Sequence, residues 1–134
     1  MAITVSLSQK ELKRVADLAY EGETVKVMLC SAGISGFTVE STVANWQTVE
    51  KSGNGYVRYS EVAGAGAYNV LTSRYEIPAI DAAFSATGAG YSFDRIIIYI
   101  DSATYIHSLI VESPNITLSS GQTQTYRIKL ICDD

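Results

Sequence analysis

The chain holds a single histidine, so any histidine-based acid–base chemistry has to pass through His107. It stands in Tyr105-Ile106-His107-Ser108-Leu109, where a two-residue period places it on the face opposite Ile106 and Ser108. A histidine acting as base needs a nucleophile within hydrogen-bond reach and a third group to orient its ring. No Gly-x-Ser-x-Gly elbow or comparable nucleophile setting accompanies it. His107 therefore reads as a surface or hydrogen-bonded structural residue. Asp94 and Asp101 flank an isoleucine run, and two carboxylates at strand ends are what a glycosidase uses. Here they read as solvated strand ends, and no cleft that a hydrolase would need can be assembled around them.

Metal and phosphate chemistry fare no better. The sequence has two cysteines and no H-x-x-x-H, C-x-x-C or Asp-rich calcium loop. Gly64-Ala65-Gly66 and Gly88-Ala89-Gly90 lack the lysine and the helix start of a phosphate loop, and read as turns. Cys30 and Cys132 each end an apolar strand-like segment, which in a reducing compartment favours two buried free thiols over a disulfide. Asn115-Ile116-Thr117 fits a glycosylation pattern, but no secretory signal goes with it. The expectation is a chain with no catalytic, cofactor-binding or metal-binding residue, and hence not an enzyme.

Composition narrows the partners. The 134 residues are one domain's worth of sequence, read as a single structural domain over 1–134. Apolar residues make up 47% and charged residues 18%, a globular balance whose low charge suggests surface buried against other subunits. With 10 Lys and Arg against 14 Asp and Glu, and no basic stripe, neither nucleic acid nor an anionic membrane is an expected partner. No apolar run reaches the length of a membrane span or a signal peptide, so the chain reads as soluble and made in a cytoplasm. The 9 tyrosines, against 3 Phe and 1 Trp, suit core edges and interfaces, where a ring packs and a hydroxyl meets water or a partner.

The elements that must position these residues are mostly strands. Ser8 with Glu11 forms a capping box, and Leu12, Val15, Ala16 and Ala19 recur at helical spacing, predicting one short N-terminal helix over about 9–20 that Gly22 stops. From Thr24 the period becomes two, with Val25, Val27 and Leu29 on one face and Lys26 and Met28 on the other: a half-buried strand. Phe37–Val39 reads as a short extended piece, and residues 41–51 give no clear signal. Tyr56–Val62 and Val70–Ile77 read as strands, with the Gly/Ala-only stretch Ala63–Ala67 between them, and Ala82–Ala86 as a short one before a turn at Thr87–Gly90. Ile96–Ile100 is an unbroken apolar run, the pattern of a central strand covered on both faces. A hairpin turn at Asp101–Ala103 leads to Tyr105–Val111. After Pro114 come Ile116–Leu118, a turn at Ser119–Gly121, and the clean alternation of Tyr126, Ile128, Leu130 and Cys132 against Thr125, Arg127, Lys129 and Ile131. The whole predicts a mainly β chain, β-rich over 24–132 and resembling a β-sandwich or jelly roll.

Ser52-Gly53-Asn54-Gly55 is dense in residues that accept positive φ, and it runs directly into Tyr56-Val57-Arg58. The glycines permit a tight turn, Tyr56 suits a core edge, and Arg58 suits a nearby carbonyl or carboxylate. This segment resembles the Ser-Gly-Asn/Gly-Gly-Tyr-x-Arg motif of small tailed-phage virion proteins, of the capsid-decoration or tail-fibre-like kind. The order of helix, Thr24–Leu29 strand, loop and motif is similar too, as are the stretches Ser92–Asp101 and Ile116–Leu130, so the likeness covers most of the chain. Small structural proteins of cyanobacterial podophages are similar in particular. The chain departs from the family form at Ala63–Tyr68, where a longer polar insertion is usual.

The resemblance implies a non-enzymatic component of the virion, made in the host cytoplasm. Its first expectation is a capsid decoration or cement protein that binds the major capsid protein or other virion proteins as a homo-oligomer, with a trimer the natural form on local threefold axes. Its alternative is a tail, adaptor or fibre component contacting other virion proteins or a host glycan. Ser52, Gly53, Asn54, Gly55, Tyr56 and Arg58 would be its structural motif.

Overall fold

The computed structural model describes residues 20–31, 36–72 and 74–133, and the chain is mainly β, built from antiparallel sheets. The helix expected over about 9–20 falls, but for its last residue, outside the described residues. In chain order the elements are β1 (Thr24–Cys30), α1 (Val43–Gln47), β2 (Tyr59–Val62), β3 (Ala67–Asn69), β4 (Arg74–Glu76), β5 (Ile80–Ser85), β6 (Tyr91–Ile100), β7 (Ser108–Leu118), β8 (Thr123–Ile128) and β9 (Ile131–Asp133). They form a four-stranded sheet in the order β2-β1-β6-β7, a three-stranded sheet β3-β4-β9 and a two-stranded sheet β5-β8. The backbone divides into two compact units, one containing Thr24–Glu61 and Asp81–Tyr126, the other containing Val62–Ile80.

In the first of these units β6 lies between β1 and β7, and its isoleucine run is covered on both faces. Val27 pairs with Ile98, Met28 with Ile97 and Leu29 with Ile96. Ile96, Ile97 and Leu29 are wholly inaccessible to solvent. One face carries Met28, Cys30, Ile97 and Tyr99, packed beneath Val43 and Trp46 of α1 and beside Ile106. This corrects the expectation of a half-buried first strand: Val27, Met28, Leu29 and Cys30 are all buried, because a helix sits where alternation alone predicts solvent.

That helix arises in the stretch that gave no clear signal. The Thr42 hydroxyl accepts from the Asn45 N–H at 3.1 Å and the Asn45 side chain accepts from the Thr42 N–H at 3.2 Å, a reciprocal cap for a helix of five residues. Trp46 pins it: its indole N–H donates to the Thr38 carbonyl at 3.1 Å and its ring meets Phe37 edge to face. Phe37–Val39 joins no sheet, since the Phe37 ring and the Thr38 carbonyl serve this seat.

β7 runs through Pro114 as one strand rather than two. Its ladder with β6 has two stretches, Val111 to Ser108 against Arg95 to Ile98, and Leu118 to Ile116 against Tyr91 to Phe93. Between them Glu112–Asn115 stands opposite Asp94 alone, so the proline, which has no N–H to give, falls where the ladder is interrupted.

In the unit containing Val62–Ile80, the strand expected over Val70–Ile77 is instead the turn and second strand of a hairpin. Asn69 turns the chain by accepting the Leu71 N–H on its side-chain oxygen at 3.0 Å, a local bond that competes with extension. Residues 70–72 form the turn, and β4 pairs back on β3 with Tyr68 opposite Tyr75. The last alternating run also divides. After Ile128 the Leu130 carbonyl accepts the Ile77 N–H at 3.0 Å, and β9 then joins β4 with Ile131 opposite Glu76. The burial of Ile128 and Leu130 keeps the predicted phase across the break.

Candidate functional site

The segment from Ser52 to Arg58 makes a dense set of specific polar contacts. Asn54 adopts φ 53°, its side-chain N–H donates to the Gly90 carbonyl at 2.8 Å, and its own carbonyl accepts the Thr87 N–H at 2.8 Å. The turn closes with the Tyr56 N–H donating to the Gly53 carbonyl at 3.0 Å. Two glycines are required by space. A Cβ on Gly55 would stand 2.9 Å from the Thr87 hydroxyl, and one on Gly90 would stand 2.1 Å from the Leu118 carbonyl oxygen. Ser52 and Gly53 lie exposed at the outside of the turn.

Past the turn the chain folds back on β1. The Tyr56 hydroxyl accepts the Leu29 N–H at 3.1 Å and donates to Glu50 Oε2 at 2.6 Å. Arg58 grips the same carboxylate with both prongs, Nε to Oε2 at 2.9 Å and Nη2 to Oε1. The Leu29 carbonyl accepts the Lys51 N–H at 2.9 Å, so both backbone groups of this β1 residue are satisfied by the returning segment. The Tyr56 ring stacks on Phe84 and meets Tyr91 edge-on, and Tyr91, Phe93 and Tyr126 continue the aromatic row. The carboxylate that Arg58 holds is thus Glu50, whose side chain is only 12% exposed.

The electrostatics match this arrangement. Burial and the hydrogen bond to Glu50 push the Tyr56 phenol well above its ordinary range, and the same carboxylate raises Arg58. Burial, with Glu50 adding to it, pushes the Cys30 thiol up to about 12, so it stays a neutral thiol that donates weakly to the Trp46 carbonyl at 3.5 Å. Glu50 is engaged on both oxygens, and the phenol proton is committed to it. The cluster acts as a brace that fastens the turn segment to β1.

The other sequence candidates are dispersed. His107 is exposed, and its Nδ1 lies 3.1 Å from the neighbouring Ser108 hydroxyl. Asp94 is no solvated strand end: it lies inside β6 at the interruption of the ladder and pairs with Arg95 at 3.1 Å, while Asp101, just past the end of β6, pairs with Lys26 at 3.6 Å. Thr117 of the Asn115-Ile116-Thr117 sequence bonds to Ser92 across the β6–β7 ladder at 2.8 Å. Among the described residues no group of three His, Cys, Asp or Glu side chains comes together to hold a metal, and no helix is long and apolar enough to cross a membrane.

In the other unit a groove of about 470 Å³ lies beside the β3–β4 turn, lined in part by Tyr68, Val70, Leu71, Pro78, Arg127 and Lys129. Glu76, also on its wall, takes Lys129 at 3.7 Å. Val70 is 75% and Leu71 93% exposed. Sequence reasoning missed Glu50, Thr87 and Gly90, the partners that give the turn its meaning. Glu50 ends the stretch with no periodic signal, and neither spacing nor residue type marks it as the acceptor for Tyr56 and Arg58.

No family of known proteins matches this chain, and neither does any curated protein or solved structure.

Proposed function

We propose that this chain is a non-enzymatic structural protein of a tailed-phage particle, of the capsid decoration or cement type, which stabilises the shell through protein–protein contacts. The observation that carries this reading is the exposed apolar turn of Val70 and Leu71, set in a sequence without a charge from Val62 through Ser73. Large side chains left in water at an exposed turn are the kind of group that a partner surface desolvates. The brace at Ser52–Arg58 supports the same reading, because its polar groups are consumed in holding the fold rather than offered to a substrate. The resemblance of that segment to virion proteins supplies the particle. The partner is the major capsid protein or another virion protein, with the chain itself a homo-oligomer, a trimer on local threefold axes.

Electron microscopy of particles with this chain labelled tests the reading. Density on the shell lattice, in a copy number that follows the lattice, is the expected result. Density confined to the tail would replace it with the adaptor or fibre reading, and absence from purified particles would overturn both.

A further inference from the structure

The brace imposes a chemically labile dipeptide on an exposed turn. Position 54 needs a residue that tolerates φ 53° and carries an amide N–H for the Gly90 carbonyl, which selects asparagine. Position 55 has φ 83° and no room for a Cβ beside Thr87, which selects glycine. Asn-Gly is the sequence in which a backbone amide most easily attacks the preceding side chain, because glycine offers that nitrogen no steric shield.

We propose that Asn54–Gly55 is a spontaneous deamidation site gated by the native turn. In the reaction the Gly55 backbone nitrogen gives up its proton and bonds to Asn54 Cγ, the Cγ–Nδ2 bond breaks, and ammonia leaves, closing a succinimide. Water then opens the ring at either carbonyl, giving aspartate or isoaspartate, with no change of oxidation state. The native geometry opposes the first step twice. The nitrogen that must leave is held to the Gly90 carbonyl at 2.8 Å. The Asn54 carbonyl is also held, by the Thr87 N–H at 2.8 Å, so any rotation of the Asn54–Gly55 peptide plane toward Cγ breaks that bond. Attack therefore waits on local opening of the turn.

Opening followed by reaction is one-way. An aspartate at 54 has no N–H for the Gly90 carbonyl and sets oxygen against oxygen, and an isoaspartate adds a methylene to the backbone of a turn with no slack at Gly55. A chain whose turn opens for long is thereby withdrawn from the native population, which makes the dipeptide a limit on the lifetime of loosened chains. This inference stands on the turn alone, independent of the virion reading.

The full chain, incubated in mildly alkaline buffer with and without concentrated urea, is digested and mapped by mass spectrometry with an isoaspartate-specific assay. Conversion at 54–55 is expected at least about tenfold faster in urea, since native opening gates the attack. Equal rates in the two conditions, or no conversion in urea, would overturn the proposal. Asn54→Gln, whose longer side chain closes the ring far more slowly, is expected to abolish the isoaspartate signal in urea, where its folding does not matter. Persistence of that signal would place the reaction elsewhere and sink the assignment.

Discussion

Glu50 accepts one bond from Tyr56 and two from Arg58, so the brace can be taken apart one atom at a time. Tyr56→Phe keeps the ring stack on Phe84 and removes only the hydroxyl, leaving the Leu29 N–H and one Glu50 oxygen each a partner short. The expected cost is about 1–3 kcal/mol in urea denaturation, the range for stranding a part-buried polar group. Glu50→Gln should cost a similar amount by loosening Arg58. The double change is expected to cost less than the sum of the two, because both act on the contacts of the same Glu50 side chain. Simple additivity would mean that the three side chains do not act as a unit.

A second residue-scale consequence concerns pH. Burial raises the Cys30 thiol from 9.0 to about 12, and a group raised on folding stabilises the native state below its unfolded value and loses that contribution as pH climbs. The thiol's contribution should therefore be fully present below about pH 9 and be lost between 9 and 12, with Tyr56, also raised, steepening the loss above its ordinary value of 10.0. Urea midpoints measured across that range check it. Cys30→Ala, less stable throughout because of the cavity it leaves, should show a shallower decline from pH 9 to 10.

At the scale of elements, what was legible depended on whether burial and period agreed. β5 keeps its alternation, with Ile80, Ala82 and Phe84 buried and Asp81, Ala83 and Ser85 exposed, and β6 declares a central strand by its isoleucines. The helix α1 was not legible, because five residues with Val43 and Trp46 alone buried show no period. Two breaks, at residues 70–72 and at Lys129–Leu130, were hidden because strand-prone residues run on through both, and only a local bond or a change of sheet partner divides them. The Ser52–Arg58 segment could be read because it is contiguous. Its acceptor could not, since a carboxylate's partner depends on how the chain returns.

The helix yields a prediction of its own. Its isolated stability is negligible at this length, so it exists through its cap and Trp46. Thr42→Ala should cost about 1 kcal/mol by removing the cap. Trp46→Ala should cost about 3–5 kcal/mol, because it empties the seat over Met28, Ile97 and Tyr99. Thermal melts of both variants test the ranking. Equal losses would mean that α1 is held by something other than its tryptophan.

For the molecule as a whole, the question is which surface is kept for something outside the chain. Several charged side chains are tied up within the chain, as Lys26 is with Asp101, Arg58 with Glu50 and Lys129 with Glu76. The turn at Val70 and Leu71 offers the contrast of large apolar groups in water, on a stretch with no charge to repel a partner. If that turn is a docking element, replacing it should separate folding from association. Val70→Asp with Leu71→Asp should leave the urea midpoint of the isolated chain nearly unchanged, within about 0.5 kcal/mol, because exposed positions lose little contact. The same pair should weaken self-association or attachment to shells by tenfold or more, about 1.4 kcal/mol, as measured by sedimentation and by co-pelleting with particles. A variant that unfolds would show that the turn serves the fold. A variant that binds as tightly as the parent would remove this turn from the contact surface and leave the exposed Val57 and Tyr105 as the next surfaces to alter.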